Sequence, residues 1–187
     1  MMLSSNLTRF SALLVMIPVL YAGELELALH KASKSVDPRL IQQLLAKGAD
    51  ANAIDENSMT PLMHVASGPG ASSSANELEA LRILIEAGAL LDVKTRSGWS
   101  ALMQAAMGTS QSAVKMLLDH GANTSLIDNE GFTPLMQATM AAEMVPRPDQ
   151  ADRNIVRMLL RAGAKPNYAR SFDGITALYD SFCKRVS

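Results

Sequence analysis

The chain has 187 residues, 48% of them hydrophobic, 19% charged and 4% aromatic, with a formal net charge of −1. That supplies one sizeable core, filled mainly by aliphatics, alanine and methionine, and leaves no basic block of the kind that binds nucleic acid. The single cysteine, Cys183, excludes an internal disulfide and a cysteine-rich zinc site.

Along the chain, Met1 to Arg9 is polar with one positive side chain, and an apolar run follows from Phe10 to Tyr21. Small residues Ala22-Gly23 then precede an acidic helix start at Glu24. This layout predicts a signal peptide over 1–22, cleaved after Ala22. The run is shorter than the roughly 20 residues a spanning helix needs, so no stable membrane insertion is expected after cleavage.

A helix is expected at Leu27-Ala28-Leu29-His30, and a second begins at Asp37-Pro38, a cap followed by a first-turn proline. It carries Leu40-Ile41 with Leu44-Leu45 at i, i+3, i+4 spacing and stops at Gly48. The same sequence of signals then recurs. Thr60-Pro61-Leu62-Met63, Ser100-Ala101-Leu102-Met103, Thr133-Pro134-Leu135-Met136 and Thr176-Ala177-Leu178-Tyr179 each open a helix. Ile85-Glu86-Ala87-Gly88-Ala89, Leu118-Asp119-His120-Gly121-Ala122 and Leu160-Arg161-Ala162-Gly163-Ala164 each close one. Four residues past each closing glycine stand Asn52, Asp92, Ser125 and Asn167, which suit turns.

The spacing is 33 residues from Ser100 to Thr133 and from Gly88 to Gly121. That period, with its Thr-Pro-Leu opening and Gly-Ala close, resembles the ankyrin repeat. The resemblance covers essentially everything after residue 23. It implies an all-α solenoid of stacked helix-turn-helix units joined by β-turn fingers, over 23–187. The units are about 24–56, 57–96, 97–129 and 130–172, with a C-terminal half unit at 173–187. Two inserts lengthen the spacing, near Ser67–Ser74 and near Met144–Asp149, both between the helices of a unit. Both are expected to project from one edge of the stack.

No catalytic set, phosphate-cradling loop, metal-ligand spacing or cofactor motif is present. By the resemblance His30 stands where histidine is usual, implying a structural hydrogen bond within its unit. Met63, Met103 and Met136 replace that histidine in later units, which should leave methionine only its bulk to contribute. One turn on lie Met107, Met140 and Cys183, a row of soft sulfur donors. The residue before each helix opening is large and apolar: Met59, Trp99, Phe132 and Ile175. The resemblance places this row near the finger tips beside the concave groove. Together with Met107 and Met140 it forms the expected partner-binding set.

The leading expectation is therefore a non-catalytic, monomeric adaptor, exported to the periplasm or outside the cell, that binds another protein. Two alternatives are a sulfur-based protein that binds copper(I) or absorbs oxidant, and an exported effector acting on host proteins.

Overall fold

The computed structural model describes residues 23–68, 75–144 and 150–167. The expected signal peptide and half unit, with Ile175 and Cys183, lie outside these residues, as do 69–74 and 145–149 of the two inserts. The first helix, α1, spans 23–34. It is followed by α2 (Pro38–Ala46), α3 (Pro61–Ala66), α4 (Ala75–Glu86), α5 (Ala101–Met107), α6 (Gln111–Asp119), α7 (Pro134–Met144) and α8 (Gln150–Arg161).

The Thr-Pro-Leu opening is a helix start. The hydroxyls of Thr60, Ser100 and Thr133 accept the backbone N–H of the methionine three residues on, at 3.3, 3.3 and 3.2 Å. Each satisfies a donor that the first turn leaves without an intrahelical partner. One expectation needs correcting here. The Thr60 N–H donates to Sδ of Met63 at 3.5 Å, closing a capping box with sulfur as the second acceptor. Met63 thus keeps a weak form of the bond that loss of histidine was expected to remove.

The Gly-Ala close is a helix end. Gly48, Gly88, Gly121 and Gly163 adopt φ between 86° and 95°, the left-handed conformation that a Cβ would strain. The reversal lets the following alanine donate its N–H to a leucine carbonyl five residues back: Ala49 to Leu44, Ala89 to Leu84, Ala122 to Leu117 and Ala164 to Leu159, at 3.0–3.1 Å. All four alanines are buried. The Gly-Ala pair therefore ends the helix and seats its last turn on the core.

The helices pack as a two-row stack. α3, α5 and α7 form one row and α2, α4, α6 and α8 the other, with α3 on α4, α5 on α6 and α7 on α8. Leu29 of α1, Ile41, Leu62, Leu81, Leu84, Leu102, Leu117, Ile155 and Leu159 lie in one continuous core. Ala66, Ala105, Ala106 and Ala138 keep the first row thin enough for close helix approach. This is the all-α architecture that the resemblance implies. Among the described residues, no helix is long and apolar enough to cross a membrane.

Polar side chains tie the units together. The Asn52 amide donates to the Gly88 carbonyl at 3.0 Å, and its oxygen accepts the Leu90 N–H at 2.7 Å. Asp92 accepts the Asn123 N–H at 3.0 Å. These residues read as turn formers in the sequence; the structure shows them clamping successive units.

A buried tie joins α4 to α6. The Ser110 hydroxyl donates to Oε1 of Glu77 at 2.6 Å while accepting the Ala113 N–H at the start of α6. Burial pushes the Glu77 carboxyl above its ordinary value, and the Ser110 bond only partly opposes this. The folded protein therefore holds the proton to a higher pH than the unfolded chain does. Glu77 stabilises the fold below pH about 4.5, and that contribution falls as pH rises through its folded value. His30 and His64, held low by burial, act in the opposite sense as pH falls below about 6.5. Comparing urea unfolding of wild type and Glu77→Gln between pH 4 and 7 isolates the carboxyl. The variant should lack the decline; parallel curves would refute the assignment.

Candidate protein-binding face and a buried histidine cluster

Each finger is closed by one polar side chain at its base. In the first, Asp55 N–H donates to the Met59 carbonyl at 3.0 Å, and Asp55 Oδ1 accepts the Met59 N–H at 3.0 Å. In the second, Thr95 exchanges bonds with Trp99 through its backbone and hydroxyl, at 2.9 and 3.0 Å. In the third, Asp128 does so with Phe132, at 3.0 and 2.8 Å. The residue before each helix is thereby held against the finger's own base.

A second bond ties the first and third fingers to their helices. His64 Nε2 meets Asp55 Oδ2 at 2.9 Å, and the Gln137 amide donates to Asp128 Oδ2 at 3.1 Å. The second finger has Thr95 at this place, whose hydroxyl meets Ser97 Oγ at 2.9 Å instead. Gln104, the counterpart of His64 and Gln137, makes no such bond among the described residues.

The first and second fingers enclose an open cleft of about 610 Å³. Met59 and Trp99 line it with Asn57, Thr95, Arg96 and Gln104. The two apolar side chains are half-buried, and Arg96 is exposed with no ion pair among the described residues.

The other expected anchors sit differently. Phe132 is 9% exposed and packs with Met136 and the half-buried Met140 in a small separate cluster. Burying its ring there recovers roughly 1.5–3 kcal/mol, which favours an inward ring over a presented one. Met63, Met103 and Met136 are all buried, whereas Met107 and Met140 of the expected sulfur row are half-buried. Ile54 and Leu90 are large exposed apolar residues that the sequence reading did not single out.

The same geometry creates a second constellation. His30 of α1, Asp55 of the first finger and His64 of α3 bring one potential ligand atom each to within 4.8 Å of one another. The His30 and His64 rings meet edge to face, with centroids 5.5 Å apart. Burial lowers both histidines below their ordinary value; for His64 the bond to Asp55 partly offsets it. Burial would raise the Asp55 carboxyl, but N–H bonds from Met59 and Asn57 and the His64 contact outweigh it, bringing it to about 2. At neutral pH this is a carboxylate between neutral imidazoles, with Lys34 Nζ at 3.4 Å from Asp55 Oδ2. One expectation is corrected: His30 makes no structural hydrogen bond, since both its ring nitrogens are buried without a partner among the described residues. Nothing in the spacing of residues 30, 55 and 64 flags this meeting, because it depends on how the first two units stack.

A family model of ankyrin repeats, in three copies, matches residues 70–170. Residues of the chain are also 41% identical, over 81 residues, to the glycerophosphocholine phosphodiesterase gde1 of Schizosaccharomyces pombe (strain 972 / ATCC 24843). That overlap covers 43% of this chain and 6% of that protein, so the activity in its name does not follow for this chain. The family model spans more than half of the sequence, and the matched range takes in helices α4 to α8. The chain belongs to the ankyrin-repeat family, whose stacked helix pairs serve as a protein-interaction module.

Proposed function

We propose that this protein is a non-catalytic, monomeric adaptor, exported through its N-terminal leader, that holds another protein in the cleft between its first and second fingers. The observation that carries this reading is the meeting of Met59 and Trp99 in one cleft beside Arg96 and Gln104. An apolar floor with a cation and an amide at its side suits a segment that presents an apolar side chain next to a carboxylate. Fully covering either Met59 or Trp99 is worth roughly 1.5–3 kcal/mol, enough for both to act as anchors. The missing tie between Thr95 and Gln104 supports the same reading, because it leaves the amide available to a partner. The sequence pattern of residues 1–22 supports export.

The test is photocrosslinking in the source cells, with the reactive group at Asn57 and, as control, at the exposed Glu86. A discrete partner should be captured from Asn57 alone, and the copies of this chain that carry the crosslink should begin near Gly23. Trp99→Ala should weaken binding of that partner by about tenfold or more, and Arg96→Glu should slow its association. Equal capture from both positions, or undiminished binding by folded Trp99→Ala, would sink the assignment.

A further inference from the structure

We propose that His30, Asp55 and His64 form a binding site for a divalent transition-metal ion, zinc in the first instance, at the junction of the first two units. Two independent observations point there. The three side chains converge within 4.8 Å although they come from α1, a finger and α3. His30, 5% exposed, also has both ring nitrogens buried without a hydrogen-bond partner among the described residues, and one of them lies in this cluster. A buried donor or acceptor left unpaired is costly, so a polar group held this way calls for a ligand.

The donor set selects the ion. Two imidazole nitrogens and one carboxylate oxygen suit zinc and its first-row neighbours, whereas calcium and magnesium take oxygen. Tetrahedral zinc with bonds of about 2.0–2.1 Å sets its ligand atoms roughly 3.3 Å apart, so the widest pair must close by about 1.5 Å, within reach of side-chain rotation. The carboxylate is already oriented: Oδ1 accepts the N–H groups of Asn57 and Met59 at 2.9 and 3.0 Å, leaving Oδ2 toward His64. That arrangement supplies the outer hydrogen bonds that hold a metal-binding carboxylate in place.

Access and a fourth position are present. A pocket of about 410 Å³ opens beside the cluster, lined by His64, Lys34, Ser67, Asn76 and Glu77 among others. Of the three ligands His64 lines this pocket, and three protein ligands leave a tetrahedral ion one coordination position for water or an outside group. Lys34 now supplies the cation beside Asp55, and its side chain is 51% exposed, so it can swing into solvent as the metal enters. A bound ion would tie α1 and the first finger to α3, stiffening the N-terminal end of the stack.

The experiment uses the full chain, freed of metal, in equilibrium dialysis against micromolar zinc. A parallel titration follows the visible absorption of cobalt(II). Wild type should take up one zinc per chain, and at a hundredfold excess over Kd its thermal midpoint should rise by roughly 5 °C or more. His30→Leu should lose the zinc and the cobalt band, and without metal should melt no lower than wild type, because it removes two unpaired polar atoms. Asp55→Asn, whose amide oxygen still accepts the Asn57 and Met59 N–H groups, should lose zinc while keeping the finger. It also serves if His30→Leu does not fold. Lys34→Gln should bind zinc more tightly. His120→Ala, which alters a histidine on the exposed end of α6, should behave as wild type. Absence of stoichiometric zinc in wild type, uptake unchanged in His30→Leu and Asp55→Asn, or loss only in His120→Ala would each overturn the proposal.

Discussion

Replacing Gly98 by alanine is expected to lower the stability of the protein by about 3 kcal/mol. The residue sits at φ +86°, and a Cβ there would stand 2.7 Å from both the backbone nitrogen and Oδ1 of Asn129, and 2.9 Å from Cα of Asp128. Those atoms belong to the next finger and cannot yield cheaply. Asn129 N–H donates to the Ser97 carbonyl at 3.0 Å, and its amide donates to the Arg96 carbonyl at 2.9 Å. A methyl group would part the second finger from the third and break both bonds. Left-handed backbone adds about 1–2 kcal/mol for a non-glycine residue, and each lost bond about 1 kcal/mol. Ser58, at the same place in the first finger, has φ +58° and carries a side chain. Ser58→Ala should therefore cost less than about 1 kcal/mol. Urea unfolding of both variants measures the contrast; equal losses would show that the finger junction does not matter.

The second large effect is expected at Leu102, whose truncation to alanine should cost about 3–4 kcal/mol and lower the midpoint by roughly 10 °C. Leu102 is 1% exposed and belongs to α5, which packs against α3, α6 and α7 together. The first row around it is rich in alanine (Ala105, Ala106 and Ala138), whose side chains have no reach with which to fill a void. The site should therefore collapse poorly, which places the cost in the upper part of the usual 2–5 kcal/mol range. Each unit of a solenoid is held chiefly by its neighbours, so loosening a central one weakens both of its junctions. The unfolding transition should broaden as well as shift. Met103→Leu, which keeps volume at a neighbouring buried position, should cost under about 1.5 kcal/mol. A Leu102→Ala loss below about 1 kcal/mol, or a transition as sharp as wild type, would contradict this account.

The helix ends were legible because each depends on a few adjacent residues. Asp37-Pro38, the hydroxyl before each Leu-Met pair, and the Gly-Ala closes carry their physics locally, through caps that span three to five residues. The cleft was half legible. Met59 and Trp99 could be named from their register beside the fingers, but Phe132 has the same register and turns inward. What separates them is the company: Met136 and Met140 offer Phe132 an apolar seat. The contrast between Thr95 and the aspartates at 55 and 128 gains meaning only once each finger is seen folded onto its helix.

The amino-acid sequence by itself determined the unit, its period and the ends of its helices, because local hydrogen bonding and a 3.6-residue apolar stripe are properties of short segments. Through its resemblance to the ankyrin repeat it also implied which residues stand beside the fingers. Tertiary structure alone decided what those residues meet. Stacking, set by the burial of Leu62, Leu102 and their neighbours, brings residues far apart in the chain to within bonding distance. It joins Asn52 to Gly88, places Gly98 under Asn129, and gathers His30, Asp55 and His64 at one junction.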